Sequence, residues 1–220
     1  MTKESKSILT WLIIALVLIG TFLVIIFANQ SGNGTTNVLG TEVADGEWIK
    51  GNPDAKVTLV EYSDFQCPAC KSRETIVKSL IGEFGNHIKF VYRHFPLQSI
   101  HANAHLAARA SEAAGIQGKF WEMHDAIFNN QETWEGLSNA SAEELFTSYA
   151  EELGLDIDKF SSDIDSSEVR DAVDADYASG EEAKVAGTPT FFLNGKEIKP
   201  NSYEDYRALI RTAIEQAESK

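Results

Sequence analysis

The longest unbroken apolar run of the chain lies near its start. Residues 8–28 carry no charge and are almost wholly apolar. At about 1.5 Å per residue, a helix of that length crosses a hydrocarbon core of about 30 Å. A cleaved signal peptide is the rival reading, but its apolar region is shorter, roughly 7–15 residues, and ends in small residues. Here Phe22, Leu23, Val24, Ile25, Ile26 and Phe27 run to the end of the stretch and no A-x-A pattern follows. The pattern predicts a transmembrane anchor over residues 8–28. Lys3 and Lys6 precede it and the next basic residue is Lys50. The positive-inside bias then puts residues 1–7 in the cytoplasm and everything after the span outside the cell membrane, where disulfides are permitted. Residues 29–44, rich in Ser, Gly, Asn and Thr, read as a flexible linker. The folded domain is expected over residues 45–220.

Within that domain the periodicity changes several times. Residues 56–62 (K-V-T-L-V-E-Y) are β-rich and mostly apolar, as in a buried central strand. Ile76, Val77, Leu80, Ile81 and Phe84 then recur at helical spacing, with Gly85 offering a stop. Residues 88–92 read as a second strand, completing a unit of βαβ size. A long helical middle follows, about 98–186. It holds an alanine-rich stretch at 101–114, a face of Phe120, Trp121, His124, Ile127 and Phe128, and a capping box of Ser141 and Glu144 ahead of Leu145, Phe146 and Tyr149. Gly154 ends that helix; residues 156–164 form a turn or short helix, and 167–186 a more polar one. Residues 190–193, the Asn194–Gly195 turn and residues 196–199 form a hairpin. Ser202 and Asp205 cap a final helix with Tyr206, Leu209, Ile210, Ala213 and Ile214 on its apolar face.

Charge narrows the partners. The net charge is −14 and no basic cluster stands out, which argues against nucleic acid or anionic lipid; the acidity reads as a solvated surface. No Gly-rich phosphate loop, Ser-His-Asp signature or carboxylate cluster of metal spacing is present, so no cofactor is expected.

The chain has two cysteines, Cys67 and Cys70. They cannot staple a mini-domain, so their spacing needs another reason. At a strand-to-helix junction the first sulfur lies by unsatisfied backbone N–H groups and the positive end of the helix dipole. A thiolate is stabilised there and the Cys67 pKa should fall below its free value of about 8.5. The thiolate is the nucleophile of disulfide exchange, and Cys70, one turn on, can attack the resulting mixed disulfide. Pro68 stiffens the first turn without a competing N–H.

The run G-N-P-D-A-K-V-T-L-V-E-Y-S-D-F-Q-C-P-A-C at residues 51–70 resembles the opening of the DsbA-like branch of the thioredoxin superfamily. Y-R-H-F-P-L at 92–97, G-K-F-W-E-M-H at 118–124 and G-T-P-T-F-F-L-N-G at 187–195 resemble it too. The resemblance covers the chain after about Asp45. It implies an α/β thioredoxin-like fold, a central mixed sheet flanked by helices, with a helical insertion and, from the apolar run, an N-terminal transmembrane helix. It implies Cys67 as the attacking and Cys70 as the resolving cysteine, acting through their own disulfide. Pro189 matches the superfamily's cis-proline facing that disulfide, with Thr188 before it offering backbone to an extended substrate. Glu61 matches an acid beneath the active site, where a raised pKa would let it exchange protons with Cys70. Pro68, Phe65 and Gln66 are expected to line the substrate surface, although packing serves equally well for Phe65 and Gln66.

One residue departs from the family pattern. Strongly oxidising members carry His at the second position between the cysteines; here it is Ala69, which leaves the direction of electron flow open. The expected function is disulfide formation in exported, cysteine-containing proteins, with reoxidation by a quinone-linked membrane partner of DsbB or vitamin K epoxide reductase-like type. A reductase or isomerase is the alternative in the same class, and a tethered peptide-binding chaperone with structural cysteines is the alternative in another. Zinc held by Cys67, Cys70, His101 and His105 is disfavoured by the long gap between the pairs. His94, His124, Trp121 and Trp134 read as packing residues.

Overall fold

The computed structural model describes residues 37–44 and 46–219. The span expected over residues 8–28 lies outside them, and among the described residues no helix is long and apolar enough to cross a membrane.

Five strands form one sheet. They are β1 (Trp48–Gly51), β2 (Val57–Ser63), β3 (Ile88–His94), β4 (Thr190–Leu193) and β5 (Lys196–Ile198), in the order β1-β3-β2-β4-β5. β2 and β3 are parallel and joined through helix α1 (Pro68–Phe84); the other pairs are antiparallel. The sheet is therefore mixed, as expected. Six helices lie between β3 and β4: α2 (Ala104–Ile116), α3 (Phe120–Asn129), α4 (Gln131–Trp134), α5 (Asn139–Glu152), α6 (Ile157–Ile164) and α7 (Ser167–Glu182). The last helix is α8 (Tyr203–Glu218).

The two-residue period of β2 decides what faces what. Val60 and Tyr62 point to one face, with Val91 of β3, Phe95 and Phe192. Leu59 points to the other, where Phe90, Tyr92, Leu80, Phe84, Tyr206 and Ile210 form the main core. Glu61 shares the parity of Leu59 and so enters that core, level with Tyr92 in the β2–β3 register. The inserted helices extend the same core. In α2, Ala107, Ala110, Ala113 and Ala114 are fully buried, and their small side chains let neighbouring elements approach closely.

Strand β1 was not legible as a strand. Its Trp48 stacks on Phe120 at 4.2 Å between ring centroids, and a Cβ on Gly115 would stand 2.3 Å from the indole. Glycine at 115 is thus required by close approach. Helix α5 begins earlier than the Ser141–Glu144 box implies: Ser138 is its N-cap and accepts the Ser141 N–H at 3.2 Å. The Asn194–Gly195 hairpin has the expected positive φ angles, 47° and 77°.

Residues 37–39, placed at the end of the linker, are paired with the sheet. The Leu39 N–H donates to the Gly195 carbonyl at 2.8 Å, the Glu197 N–H to the Asn37 carbonyl at 3.0 Å, and Val38 bridges Lys196.

The expected cap of the final helix is present. Ser202 Oγ accepts the Asp205 N–H at 3.2 Å and Asp205 accepts the Ser202 N–H at 3.0 Å. Ser202→Ala should cost about 1 kcal/mol, read as a lower urea midpoint with an unchanged slope.

Candidate active site

Strand β2 ends at Ser63, and the chain turns sharply before α1. Asp64 builds the turn: its Oδ1 accepts the Gln66 N–H at 2.7 Å, and its carbonyl accepts the Cys67 N–H at 3.1 Å. Such a side-chain-to-backbone bond two residues on is what Asp supplies in turns. Cys67 is the N-cap of α1, with φ −75° and ψ 119°, and Pro68 opens the helix. Proline is tolerated there because its missing N–H has no helical partner to lose.

The two sulfurs meet different surroundings. Both cysteines are free thiols. Cys67 retains 7% of its surface and Cys70 none, so only Cys67 can be reached from outside. The Cys70 thiol, the Thr188 hydroxyl and the backbone N–H groups of Cys70 and Ala69 hold Cys67 down at about 5, against the opposing push of burial. Burial pushes Cys70 well above the usual thiol range, and the Cys67 sulfur and Glu61 add to it.

The peptide bond between Thr188 and Pro189 is cis, and its loop faces the cysteines: the Cys67 thiol donates to the Thr188 carbonyl at 3.4 Å. The Thr188 hydroxyl is buried without another partner. Beside this loop runs a groove of about 350 Å³ whose lining includes Ala69, Arg73, Pro189, Phe191, Glu197 and Tyr206.

Glu61 is fully buried on the core side of β2, and neither of its carboxyl oxygens has a hydrogen-bond partner. Burial, and then the charge of Glu74, push its pKa well above the usual carboxylate range. The Tyr92 hydroxyl and Ser63 Oγ are likewise buried and unpartnered.

Cys67, Cys70, Thr188, Pro189 and Glu61 therefore come together, and Pro68 lies exposed beside Cys67. Phe65 does not join the surface. It is 1% exposed and packs on Phe128 at 4.7 Å and on Tyr92 at 5.6 Å between ring centroids. Two residues after the polar-faced end of β2, its ring is carried inward by the turn rather than outward beside Cys67. Gln66, set beside Phe65 as a surface candidate, is buried too, and two polar residues of this site escaped the sequence reading: Asp64 and Gln131. Gln131 donates to the carbonyls of Phe65 and Cys67 at 2.6 and 3.1 Å. Gln66 donates to the Glu135 carbonyl at 2.7 Å and accepts the Asn103 N–H at 2.8 Å. Only the Asp of S-D-F-Q carried a local signal, that of a turn-forming residue.

The histidines have other partners. His101 Nδ1 is 2.7 Å from Asp64 and His105 Nε2 is 3.2 Å from Asp174. His124 stands with Glu74 and Asp125 in a group whose ligand atoms lie within 4.8 Å of one another. The Lys78 ammonium is 3.2 Å from Asp125 and 3.8 Å from Glu74, so a cation of the chain itself already serves those carboxylates.

A family model described as thioredoxin matches residues 44–212. The chain belongs to the thioredoxin family. Solved structures agree on the fold. BdbD of Bacillus subtilis superposes with a TM-score of 0.71 at 24% identity, covering 82% of this chain and 99% of that one. A thioredoxin-like oxidoreductase of Silicibacter pomeroyi gives 0.64 at 26% identity, covering 80% and 95%. Among curated proteins, the Na(+)/H(+) antiporter NhaA 1 of Salinispora arenicola is 43% identical over 154 residues, 69% of this chain but 22% of that protein. NhaA 3 of Salinispora tropica is 35% identical over 174 residues, 79% and 26%. The chain thus spans about a quarter of the length of these curated relatives. The C-x-x-C pair opens α1 after β2, and the loop of the cis Thr188–Pro189 bond lies against Cys67. This arrangement is suited to thiol–disulfide exchange through the pair itself.

Proposed function

We propose that this thioredoxin is a membrane-anchored oxidoreductase with its catalytic domain outside the cytoplasm, where it forms disulfides in exported proteins. The observation that carries the reading is the asymmetry of the sulfurs, an accessible Cys67 held down at about 5 beside a buried Cys70 pushed up. A low thiolate pKa at Cys67 stabilises the reduced pair and makes its disulfide a better oxidant.

In that direction a client thiolate attacks Cys67 Sγ of the disulfide. The Cys67–Cys70 bond breaks, the client–Cys67 bond forms, and Cys70 leaves as a thiolate that takes a proton, with Glu61 as the nearby buried acid. A second client thiolate then attacks the client sulfur and expels the Cys67 thiolate. The client loses two electrons and the pair gains them. Thr188 and Pro189 hold the extended client, and Pro68 borders it. Electrons leave the reduced pair for a quinone-linked membrane reoxidase of DsbB or vitamin K epoxide reductase-like type.

Three observations support this reading. The Silicibacter pomeroyi relative is named an oxidoreductase. The curated relatives that contain a like segment are named as Na(+)/H(+) antiporters. The uncharged run at residues 8–28 offers this chain an anchor of its own. The opposite direction, a reductase, is favoured by one residue: the Ala69 side chain puts no charge or donor beside Cys67.

The redox equilibrium of the full-length chain in glutathione buffers, read by thiol trapping, tests the direction. A potential of roughly −120 to −180 mV is expected for the oxidase. A value below roughly −230 mV reverses the reading to a reductase, and failure to form any reversible Cys67–Cys70 disulfide removes exchange altogether.

A further inference from the structure

Asp64 touches both halves of the redox pair through its backbone. Its N–H donates to Cys70 Sγ at 3.5 Å, and its carbonyl accepts the Cys67 N–H at 3.1 Å. Its side chain, wholly buried, is fixed by three donors. Gln66 N–H approaches Oδ1 at 2.7 Å; Leu97 N–H and His101 Nδ1 approach Oδ2 at 2.8 and 2.7 Å. Leu97 and His101 lie on the connection between β3 and α2. Asp64 therefore joins the turn carrying the cysteines to the start of the inserted helices. His101 is the outermost member, with 16% of its side chain exposed.

The chemistry of the arrangement is specific. A hydrogen bond to sulfur depends on how well the N–H is aimed, and the aim of the Asp64 N–H is set by the plane of the 63–64 peptide. Three bonds to the Asp64 carboxylate fix that residue. Asp64 also carries a negative charge beside sulfurs that must become negative, and taken alone that charge disfavours thiolate. Position and charge thus act in opposite directions, which makes them separable.

We propose that Asp64, held by His101, is a positioning residue of the redox pair, aiming its own N–H at Cys70 and ordering the turn that presents Cys67, so that the reduced pair is favoured. This deepens the exchange reading and rests on it. Ala69 offers no side-chain donor between the cysteines; here the tuning comes from the turn before them.

The test is the glutathione equilibrium constant and the thiolate titration of Cys67 in the full-length chain, for wild type, Asp64→Asn, His101→Ala and His101→Asn. Asparagine at 64 keeps the Oδ1 acceptor but turns an amide against the Leu97 N–H and removes the charge. If position dominates, the constant shifts roughly tenfold toward disulfide, the size expected for losing one charge-assisted hydrogen bond, and the Cys67 titration moves up. If charge dominates, both move the other way, and the proposal is overturned; it is overturned equally if neither moves. His101→Ala should shift in the same sense as Asp64→Asn, and His101→Asn, whose amide reaches where Nδ1 stood, should restore the wild-type constant. That pair carries the test if Asp64→Asn does not fold, and an unmoved His101→Ala then refutes the proposal. A wild-type chain without a reversible disulfide would instead defeat the exchange reading itself, a separable result.

Discussion

Cys67→Ser is expected to abolish thiol–disulfide exchange, while Cys70→Ser halts it half-way with the client attached. The difference follows from access. Cys67 is the sulfur a client can reach, and it is held largely as thiolate at neutral pH by Cys70, Thr188 and two helix-end N–H groups. Serine keeps the shape but has a hydroxyl that stays protonated under these conditions, so no nucleophile remains. Cys70 is buried, and its elevated pKa keeps it protonated until a mixed disulfide forms beside it. Without Cys70 the mixed disulfide at Cys67 lacks its resolving sulfur and accumulates. Non-reducing gels of each variant with a disulfide-bonded cysteine peptide, whose sulfur the Cys67 thiolate attacks while the other peptide sulfur leaves, distinguish the cases: no adduct for Cys67→Ser and a persistent adduct for Cys70→Ser. Peptide binding left intact in Cys67→Ser, with no exchange in the wild type to lose, would point to a binding module whose cysteines are incidental. Alkylation of Cys67 should also hold its rate down to about pH 5, where its titration is centred.

Glu61→Leu should make the reduced protein more stable and slower. A fully buried carboxyl with no partner is a standing cost, about 1–3 kcal/mol in mutational terms, and leucine fills the same core without it. The sign with pH follows from the raised pKa. Below the unfolded value of 4.5 the carboxyl is protonated in both states and costs no charge burial. As pH rises above 4.5 the unfolded chain releases its proton first, so stability is lost progressively until the folded group also titrates. Asp176, which accepts the His94 N–H at 2.9 Å and is pushed up to about 7 by burial, adds loss of the same sign between 3.8 and 7. Urea unfolding of the reduced chain should therefore show Glu61→Leu gaining on wild type as pH rises above 4.5, a difference from which the Asp176 loss and the opposite gain from Cys67, held down at about 5, both cancel. In stopped-flow exchange the same variant should lose roughly a hundredfold in the step that protonates or deprotonates Cys70, the low end for a positioned acid–base group. A variant equally fast and no more stable would remove Glu61 from the mechanism.

What could be read from the chain followed from range. The β2–α1–β3 unit was legible because its signals are local: an apolar strand, a Cys-Pro helix start and a 3.6-residue repeat. The Asn194–Gly195 turn and the Ser202–Asp205 cap were legible for the same reason. Strand β1 was not, since its four residues W-I-K-G become a strand by pairing with β3 and by Trp48 docking over Gly115. Whether Phe65 and Gln66 face out or pack is open in the sequence, because direction depends on the turn that Asp64 makes. The partners of the polar frame around the pair are not legible there: Gln131 lies 64 positions from Cys67 and Glu135 lies 69 from Gln66, and no periodicity links such residues. The Ser138 cap was missed because Ser141 offered an equally good sequence signal one turn later.

The three residues that pair with β5 have a further meaning. A bare edge strand presents a row of amides and carbonyls that another extended chain can join, whether a client or a second molecule of the same kind. Along the outer margin of β5, Asn37, Val38 and Leu39 already occupy those positions. The sheet is thereby closed to growth on that side by its own leading segment. If the proposed exchange with extended, cysteine-bearing chains holds, that removes a place where they would stick without reacting, away from the Thr188–Pro189 loop that faces the sulfurs.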